Sequence, residues 1–184
     1  MVILVLNCGS SSIKYQVIDM EAASSKVLAK GIVERIGLAE GDLVHKPVGK
    51  ERFELRQPIP DHTTGIRLVL DALTDPAHGV IRSLDEVKAV GHRVAHGGEF
   101  FPESCLVTEE VKEKIRSLFE IAPLHNPANL EGVLSIEKVL PGVPQVTVFD
   151  TSFHQTIPAV NYMYALPHAY YDKYRVRKYG FHGT

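Results

Sequence analysis

The stretch VILVLNCGSSSIKYQVIDM, residues 2–20, decides the fold. It opens with Val2–Asn7, a nearly continuous apolar run of the kind found in buried β-strands. Turn-forming residues at positions 8–12 then interrupt the run. In Ile13–Met20 the side chains alternate between an apolar and a more polar face, as they do in a strand. The stretch therefore predicts a β-hairpin whose loop is rich in hydrogen-bond donors.

Further strands follow the hairpin and then give way to a helix. Lys26–Ile36 and Asp42–Leu55 are typical of strands, punctuated by glycine and proline. Apolar residues at helical spacing then predict a helix that is capped by Asp61 or Thr63. This helix should end before Pro76, because the residue preceding a proline disfavours helical geometry.

The second half of the chain alternates strands with helices. The pattern predicts a strand at Val87–Val94, a helix that Thr108 opens, a helix with Asn126 as N-cap and Pro127 at its first position, a strand at Gln145–Asp150, and a last short helix at Pro167–Lys173. Antiparallel strands followed by such an alternation indicate an α/β domain with a mixed β-sheet and flanking helices. The final thirty or so residues contain no complete unit, so we expect residues 1–153 to form one lobe and residues 154–184 to begin a second, incomplete one.

Composition argues against several classes of partner. The formal net charge of the 184 residues is −2, so no general positive field favours nucleic acid or an anionic membrane. No apolar run has the length of a signal h-region or a membrane span. The two cysteines, Cys8 and Cys105, lie far apart and suit a reducing compartment. We therefore expect a cytoplasmic protein that binds neither nucleic acid nor membrane.

The hairpin loop, Asn7–Lys14, concentrates groups that can bind an anion. Its eight residues include a glycine, three serine hydroxyls, an amide and a lysine. Glycine lets the backbone approach a phosphate closely, and successive N–H groups can form an anion-binding concavity. An ordinary polar turn has the same composition, and composition alone favours it. The loop is neither a Walker A motif nor a nucleophile elbow, because the glycine spacing of each is missing.

The segment GHRVAHGG at 91–98 contains two histidines and an arginine. His92 and His96 fit zinc poorly, because Arg93 replaces the glutamate of H-E-x-x-H and strand residues four apart are separated by roughly 13 Å. We expect these histidines to make structural hydrogen bonds. The planar fork of Arg93 could hold a carboxylate or phosphate, although a surface salt bridge is the simpler interpretation of an arginine considered alone.

Two further segments contain candidate catalytic residues. Asp150, in VFDTSFH at 148–154, ends a predicted buried strand, which is where α/β sheets usually place catalytic groups. Helix capping is the alternative, because Asp-Thr-Ser is also good N-cap chemistry. His182 stands between glycines in YGFHGT at 179–184.

In this order and spacing, these segments resemble the acetate kinase family. The similar blocks are NCGSSSIKYQVID at 7–19, GHRVAHGG at 91–98, APLHNPANLEG at 122–132, VFDTSFHQTIP at 148–158 and YGFHGT at 179–184. The resemblance implies the actin-like, ribonuclease H-like fold of the acetate and sugar kinase, heat-shock ATPase and actin superfamily. Members have two lobes of similar fold around a nucleotide cleft, and this chain resembles the N-terminal portion, with the second lobe mostly absent.

The resemblance also implies roles for individual residues near the phosphoryl group. Asn7 would help to hold a Mg²⁺ (or Mn²⁺) ion on the transferring phosphate. Ser10, Ser12 and Lys14 would line the path of the phosphates of ATP or ADP. His182 would stabilise the charge of the phosphoryl group in the transition state.

On the acceptor side, the resemblance implies that Arg93 clamps the small carboxylate or the acyl phosphate. His125 would approach the phosphoryl group. Asp150 would orient or deprotonate the attacking carboxylate. Orientation is the safer assignment, because a carboxylate is already ionised at neutral pH.

Ala95, Leu124 and Phe181 match positions that line the alkyl pocket of the family. Acetate kinases usually have valine at the first of these positions, and alanine there resembles propionate kinases. A pocket change of this size shifts preference by only ~1–3 kcal/mol. Acetate is therefore the expected substrate, with propionate as the alternative.

The resemblance implies that the adenosine pocket, a second arginine and the acid that completes the Mg²⁺ site belong to the rest of the second lobe. The 184-residue chain alone is then expected to be inactive, and a folded but catalytically silent domain is the alternative to a kinase. A homodimer is expected for the full-length protein.

Overall fold

The computed structural model describes residues 1–21 and 24–183. Within them, the strands are Val2–Gly9 (β1), Ser12–Glu21 (β2), Ser24–Glu34 (β3), Gly41–Pro47 (β4), Phe53–Gln57 (β5), Val87–Val94 (β6), Cys105–Leu106 (β7) and Gln145–Phe149 (β8). The helices are His62–Thr74 (α1), Glu109–Ser117 (α2), Asn126–Val139 (α3), Ala159–Tyr162 (α4) and Ala169–Tyr174 (α5). Single 3₁₀ turns lie at Leu84–Glu86 and Ser152–His154.

The strands form one mixed sheet in the spatial order β5-β4-β3-β2-β1-β6-β8-β7. Strands β1, β6 and β8 run parallel, and the other neighbours pair antiparallel. Because Gly9 pairs with Ser12, β1 and β2 form the predicted hairpin around a two-residue loop. The prediction of an α/β domain with a mixed sheet is therefore confirmed.

Helices α1 and α3 pack together and cover one face of the sheet, where most of the core lies. Alternate side chains of β1, among them Leu4 and Leu6, are buried in this core. The other face of β1, which includes Val5, is only half-buried and belongs to an open concavity on the sheet. The apolar run thus predicted the strand correctly, and one of the two faces of this strand is buried.

Helix starts follow the predicted caps in two of three cases. The carboxylate of Asp61 accepts a 2.7 Å hydrogen bond from the Thr64 amide, and Thr108 accepts one of 3.2 Å from the Val111 amide. The third case is wrong: His125 occupies the cap position of α3 without a side-chain cap bond. Asn126 is buried instead, and its carboxamide bonds to the backbone of His96. Peptide groups at the end of β6 need buried partners, and this demand outweighs capping.

Beyond His154, several contacts hold the chain against the rest of the domain, and two of them meet at Glu99. Glu99 accepts hydrogen bonds of 2.8 Å from Arg177 Nη1 and from the hydroxyl of Tyr171. The division at residues 153 and 154 stays a prediction. In the described part of the chain, no helix combines the length and apolar character that crossing a membrane requires.

Candidate active site

Three polar side chains come together where the parallel strands end. Asn7 lies near the end of β1, Arg93 near the end of β6, and Asp150 directly after β8. Because the three strands are parallel, their carboxyl ends meet at one edge of the sheet, which is where α/β sheets bind ligands. The contacts among these side chains define the candidate active site.

Arg93 and Asp150 form a forked ion pair. The Nε of Arg93 donates to both carboxylate oxygens of Asp150, at 3.1 and 3.0 Å, and Nη2 donates to Oδ2. The side chain of Asp150 is 1% exposed and that of Arg93 is 27% exposed. Bidentate bonds of this kind fix the plane of the guanidinium group. Arg93 is therefore not the surface salt bridge considered as the alternative, because its partner is a buried carboxylate.

The backbone holds Asp150 in place on both sides. Its amide donates to the Val94 carbonyl at 3.1 Å, and its carbonyl accepts from the Gly183 amide at 2.8 Å. The 3₁₀ turn that follows is preceded by Thr151, which makes no side-chain cap bond. The cap position of this turn thus belongs to Thr151, and the carboxylate of Asp150 bonds to Arg93.

Asn7 connects the arginine to the hairpin. Nη1 of Arg93 donates to the Asn7 Oδ1 at 3.4 Å. Lys14 stands opposite Asn7 in the β1–β2 ladder and is exposed. Ser12 is half-buried, and Ser10 lies exposed in the loop. The residues predicted to bind phosphate thus lie along the hairpin, next to the contact between Asn7 and Arg93. Phosphate binding itself stays a prediction.

The two histidines of the 91–98 segment make structural hydrogen bonds, as predicted. The Nε2 of buried His92 donates to Gln145 Oε1 at 2.7 Å. The Nδ1 of His96 accepts from the Gly98 amide at 3.0 Å. Within residues 1–21 and 24–183, no three His, Cys, Asp or Glu side chains cluster in a way that could hold a metal ion. Burial lowers the pKa of His92 and of His96 to about 4 in each case.

These lowered pKa values predict a loss of stability in mild acid. Between about pH 6.5 and pH 4 the unfolded chain protonates both histidines while the folded chain keeps them neutral, so the free energy of unfolding falls as the pH falls. His92 contributes up to about 1.4 kcal/mol per pH unit in that window. In urea unfolding at pH 7 and pH 5, His92→Gln should reduce the difference between the two values. His168→Gln, at an exposed histidine, should leave it unchanged; an equal difference in the wild type and His92→Gln would contradict the assignment.

The three predicted pocket residues differ in exposure. Ala95 is 0% exposed, whereas Leu124 is 78% and Phe181 46% exposed. The ring of Phe181 lies beside the ring of His96, with 5.8 Å between the two centroids. An alkyl pocket formed by these residues stays a prediction.

His125 and His182 are both exposed. His125 immediately precedes α3, and His182 belongs to the segment that the Gly183 amide joins to the Asp150 carbonyl. This bond brings the backbone beside His182 to the candidate site. Thr184, the last residue of the YGFHGT block, lies outside the described residues.

Sequence reasoning missed the residues that attach residues 154–183 to the domain. Arg177 is only 9% exposed, its guanidinium carbon is 3.6 Å from the centroid of the Tyr162 ring, and it forms an ion pair with Glu99. Nothing in the local sequence signals this pair, because its members are 78 positions apart. It also missed the buried hydrogen bonds of Asn126, which was predicted as an N-cap, and of Asn129, which has no predicted role of its own.

Comparison with known proteins matches this chain along its whole length. The model of the family described as "Acetokinase family" matches residues 2–184. The acetate kinase of Desulfitobacterium hafniense (strain DSM 10664 / DCB-2) is 55% identical over 184 residues, covering 100% of this chain and 46% of that relative. The acetate kinase of Thermotoga maritima is 57% identical over 182 residues, covering 99% of this chain and 44% of the relative.

Two solved structures have the same fold. The acetate kinase of Porphyromonas gingivalis gives a TM-score of 0.93 at 48% identity, and a propionate kinase from Francisella tularensis gives 0.89 at 38%. Each match covers 99% of this chain and 45% of the solved chain. The mixed sheet and these similarities define a partial actin-like lobe. The chain belongs to the acetokinase family, and it spans less than half the length of the curated relatives that it matches.

Proposed function

We propose that the full-length protein transfers a phosphoryl group reversibly between ATP and acetate, giving acetyl phosphate and ADP. The observation that carries this proposal is the guanidinium of Arg93, which contacts Asp150 and Asn7 where the parallel strands end. The small acid, its acyl phosphate and the nucleotide are all anions. The net charge of these 184 residues is −2, so this part of the protein must attract them through a few well-placed cations and donors.

In this mechanism Arg93 binds the substrate carboxylate and Asp150 orients the arginine. Asp150 holds Nε and Nη2, while Nη1 lies on the side of Asn7. The fixed plane of the guanidinium group then directs one substrate oxygen towards the phosphorus. No base is needed, because acetate is ionised at neutral pH. Catalysis consists of alignment and charge stabilisation, as phosphoryl transfer requires.

Donors on the hairpin and two histidines would surround the transferring group. Ser10, Ser12 and Lys14 would hold the phosphates of the nucleotide, and His125 and His182 would approach the equatorial oxygens. Lys14 supplies an exposed cation on the strand that adjoins Asn7, which supports this role.

A Mg²⁺ ion fits this lobe through a single ligand. Asn7 offers an amide oxygen, a ligand type that Mg²⁺ accepts, and Mg²⁺ usually keeps several waters and binds substrate phosphates. The neighbouring Arg93 would repel a bare cation, so the ion fits only together with phosphate oxygens. When bound, the ion neutralises phosphate charge, while this chain would contribute the oxygen of Asn7.

We further propose that residues 1–153 form the carboxylate lobe and that residues 154–184 begin the nucleotide lobe. The 184-residue chain alone should then be inactive, because the adenosine pocket belongs to the remaining half. We also propose that the full-length enzyme is a cytoplasmic homodimer that contacts neither membrane nor nucleic acid. The free thiols Cys8 and Cys105 are consistent with a reducing compartment.

Two alternatives are tested together with this proposal. Ala95 and the similarity to a propionate kinase favour propionate as a second substrate. A catalytically silent domain is the alternative for the 184 residues on their own. The two alternatives predict different results in one assay.

The assay couples ADP formation to a spectroscopic signal, with acetate or propionate as acceptor and ATP with Mg²⁺. The full-length gene product should turn over acetate, and the 184-residue chain should not. Turnover by the 184-residue chain would refute the hypothesis of a catalytically silent domain. Absence of turnover in both proteins would refute the kinase proposal.

Substrate preference is tested by Ala95→Val in the full-length protein. The two added methyl groups should lower kcat/KM for propionate relative to acetate by about 10-fold, within the ~1–3 kcal/mol range of such pocket changes. Ala29→Val, at another fully buried alanine, controls for overpacking and should leave the ratio unchanged. If Ala95→Val leaves the ratio of kcat/KM for propionate and acetate unchanged, this residue does not line the substrate pocket.

A further inference from the structure

The first turn of α3 lies against the point where β1 and β6 separate. Their parallel ladder runs from the Val2–Val87 pair to the Leu6–His92 pair. Beyond that pair, β1 continues into the hairpin and β6 leads to the diglycine at 97–98. The backbone groups there are buried and no longer pair with each other, so they need other partners.

One carboxamide joins the two separating chains. Asn129 Nδ2 donates to the Cys8 carbonyl at 2.6 Å, and its Oδ1 accepts from the Ala95 amide at 2.9 Å. Asn129 is 2% exposed. One turn earlier on the same helix, Asn126 binds both the amide and the carbonyl of His96, at 3.2 and 2.9 Å. Side chains of α3 thus form hydrogen bonds with the backbone groups that no longer pair between β1 and the segment after β6.

This bridge spans the two candidate site residues. Cys8 follows Asn7 directly, and Ala95 follows Arg93 by two residues. A carboxamide is short and rigid, so engaging both of its ends fixes the distance between the two backbones. Close packing of α3 against β1 also restricts this distance. A Cβ on Gly132, one turn further along α3, would lie only 2.5 Å from the Cys8 Sγ.

We propose that Asn129 is a positioning residue that sets the distance between the Asn7 amide oxygen and the Arg93 guanidinium. This inference rests on the proposed function, in which Asn7 belongs to the phosphate side and Arg93 to the carboxylate side. Asn129 touches neither substrate. It acts by holding the two strand ends at the separation that brings the reacting groups into line.

The kinetic test is a double-mutant cycle in the full-length protein. Asn129→Ala should lower kcat/KM for acetate by about 100-fold, the effect of a misplacement of about 1 Å, and should change the KM for ATP by less than about 2-fold. Combined with Arg93→Ala, it should add little further loss, because it acts through that residue. Ser135→Ala is the matched control: Ser135 is also fully buried on α3, but it bonds to Thr63 and Glu131. It should leave kcat/KM unchanged, and fully additive effects of Asn129→Ala and Arg93→Ala would overturn the proposal.

A second readout does not depend on kinase activity. In ¹⁵N NMR spectra of the 184-residue chain, Asn129→Ala should shift the Nε–H signal of Arg93 and the side-chain amide signals of Asn7, whereas Ser135→Ala should not. Unshifted signals would overturn the positioning role even if the kinase proposal holds, and shifted signals would support it even if the wild type shows no turnover. If Asn129→Ala does not fold, Asn129→Asp, which has the same shape and loses the donor to Cys8, replaces it. Failure of both to fold, with Ser135→Ala folded, would make Asn129 a folding residue and overturn the proposal.

Discussion

Arg93→Ala in the full-length protein should lower kcat/KM for acetate by about 10³-fold or more. Charge-assisted hydrogen bonds are worth about 1.5–3 kcal/mol each, and a guanidinium that binds a carboxylate in a fork makes two of them. A cation that also stabilises the transferring phosphoryl group contributes factors of this order by itself. The measurement is steady-state kinetics with acetate varied at saturating ATP.

The same substitution should destabilise the domain, because Asp150 would keep a buried charge without its partner. Breaking a buried ion pair on one side costs about 3–5 kcal/mol. Arg93→Lys retains a positive charge but not the planar fork, so it should fold better and still lose most activity. Arg56→Ala removes an exposed arginine that is paired with Asp42 and should change neither property. Unchanged kcat and KM in folded Arg93→Ala would refute the proposal that Arg93 binds the substrate carboxylate.

Asp150→Asn should lower kcat by about 100-fold while the protein remains folded. The amide has the shape of the carboxylate and can still accept from Arg93, but it no longer offers two charged oxygens to the fork. The guanidinium would lose its fixed plane, and a small misplacement of reacting groups has this cost. Kinetics and circular dichroism on the same samples separate the loss of rate from unfolding.

The pH dependence of Asp150→Asn tests whether catalysis includes a titrating step at this residue in the neutral range. If Asp150 only orients Arg93, log kcat of the variant and of the wild type should run parallel through the neutral range, because acetate is already ionised there. A wild-type acidic limb that disappears in the variant would contradict this expectation and show that kcat follows the ionisation of Asp150. Asp42→Asn, at another aspartate paired with an arginine, serves as the control for loss of an Arg–Asp pair.

Local patterns predicted the local structure well. The strand Val87–Val94 has its predicted bounds, and Asp61 and Thr108 cap their helices, because alternation and capping depend on neighbouring residues. The start of α3 was misjudged because Asn126 has two possible uses, and the one that prevails serves a backbone segment 30 positions away. Such competition between local and distant partners is not visible in a short window of sequence.

The candidate site could be predicted as a set of residues but not as a geometry. Arg93 and Asp150 are 57 positions apart, and only the parallel topology of β6 and β8 brings them together. Strand-end placement suggested each residue separately, and resemblance to a family joined them. The bridging role of Asn129 had no sequence signal, since asparagine within a helix gives no indication of what it binds.

The central claim is that Arg93 holds the substrate carboxylate while the phosphoryl group arrives beside Asn7. A crystal structure of the full-length protein with acetate, ADP, Mg²⁺ and a planar metal-fluoride mimic of the phosphoryl group tests it most directly. We predict an acetate oxygen about 2.7–2.9 Å from a guanidinium nitrogen of Arg93, with the mimic between acetate and ADP. Acetate bound elsewhere, with Arg93 contacting only Asp150 and Asn7, would contradict the claim.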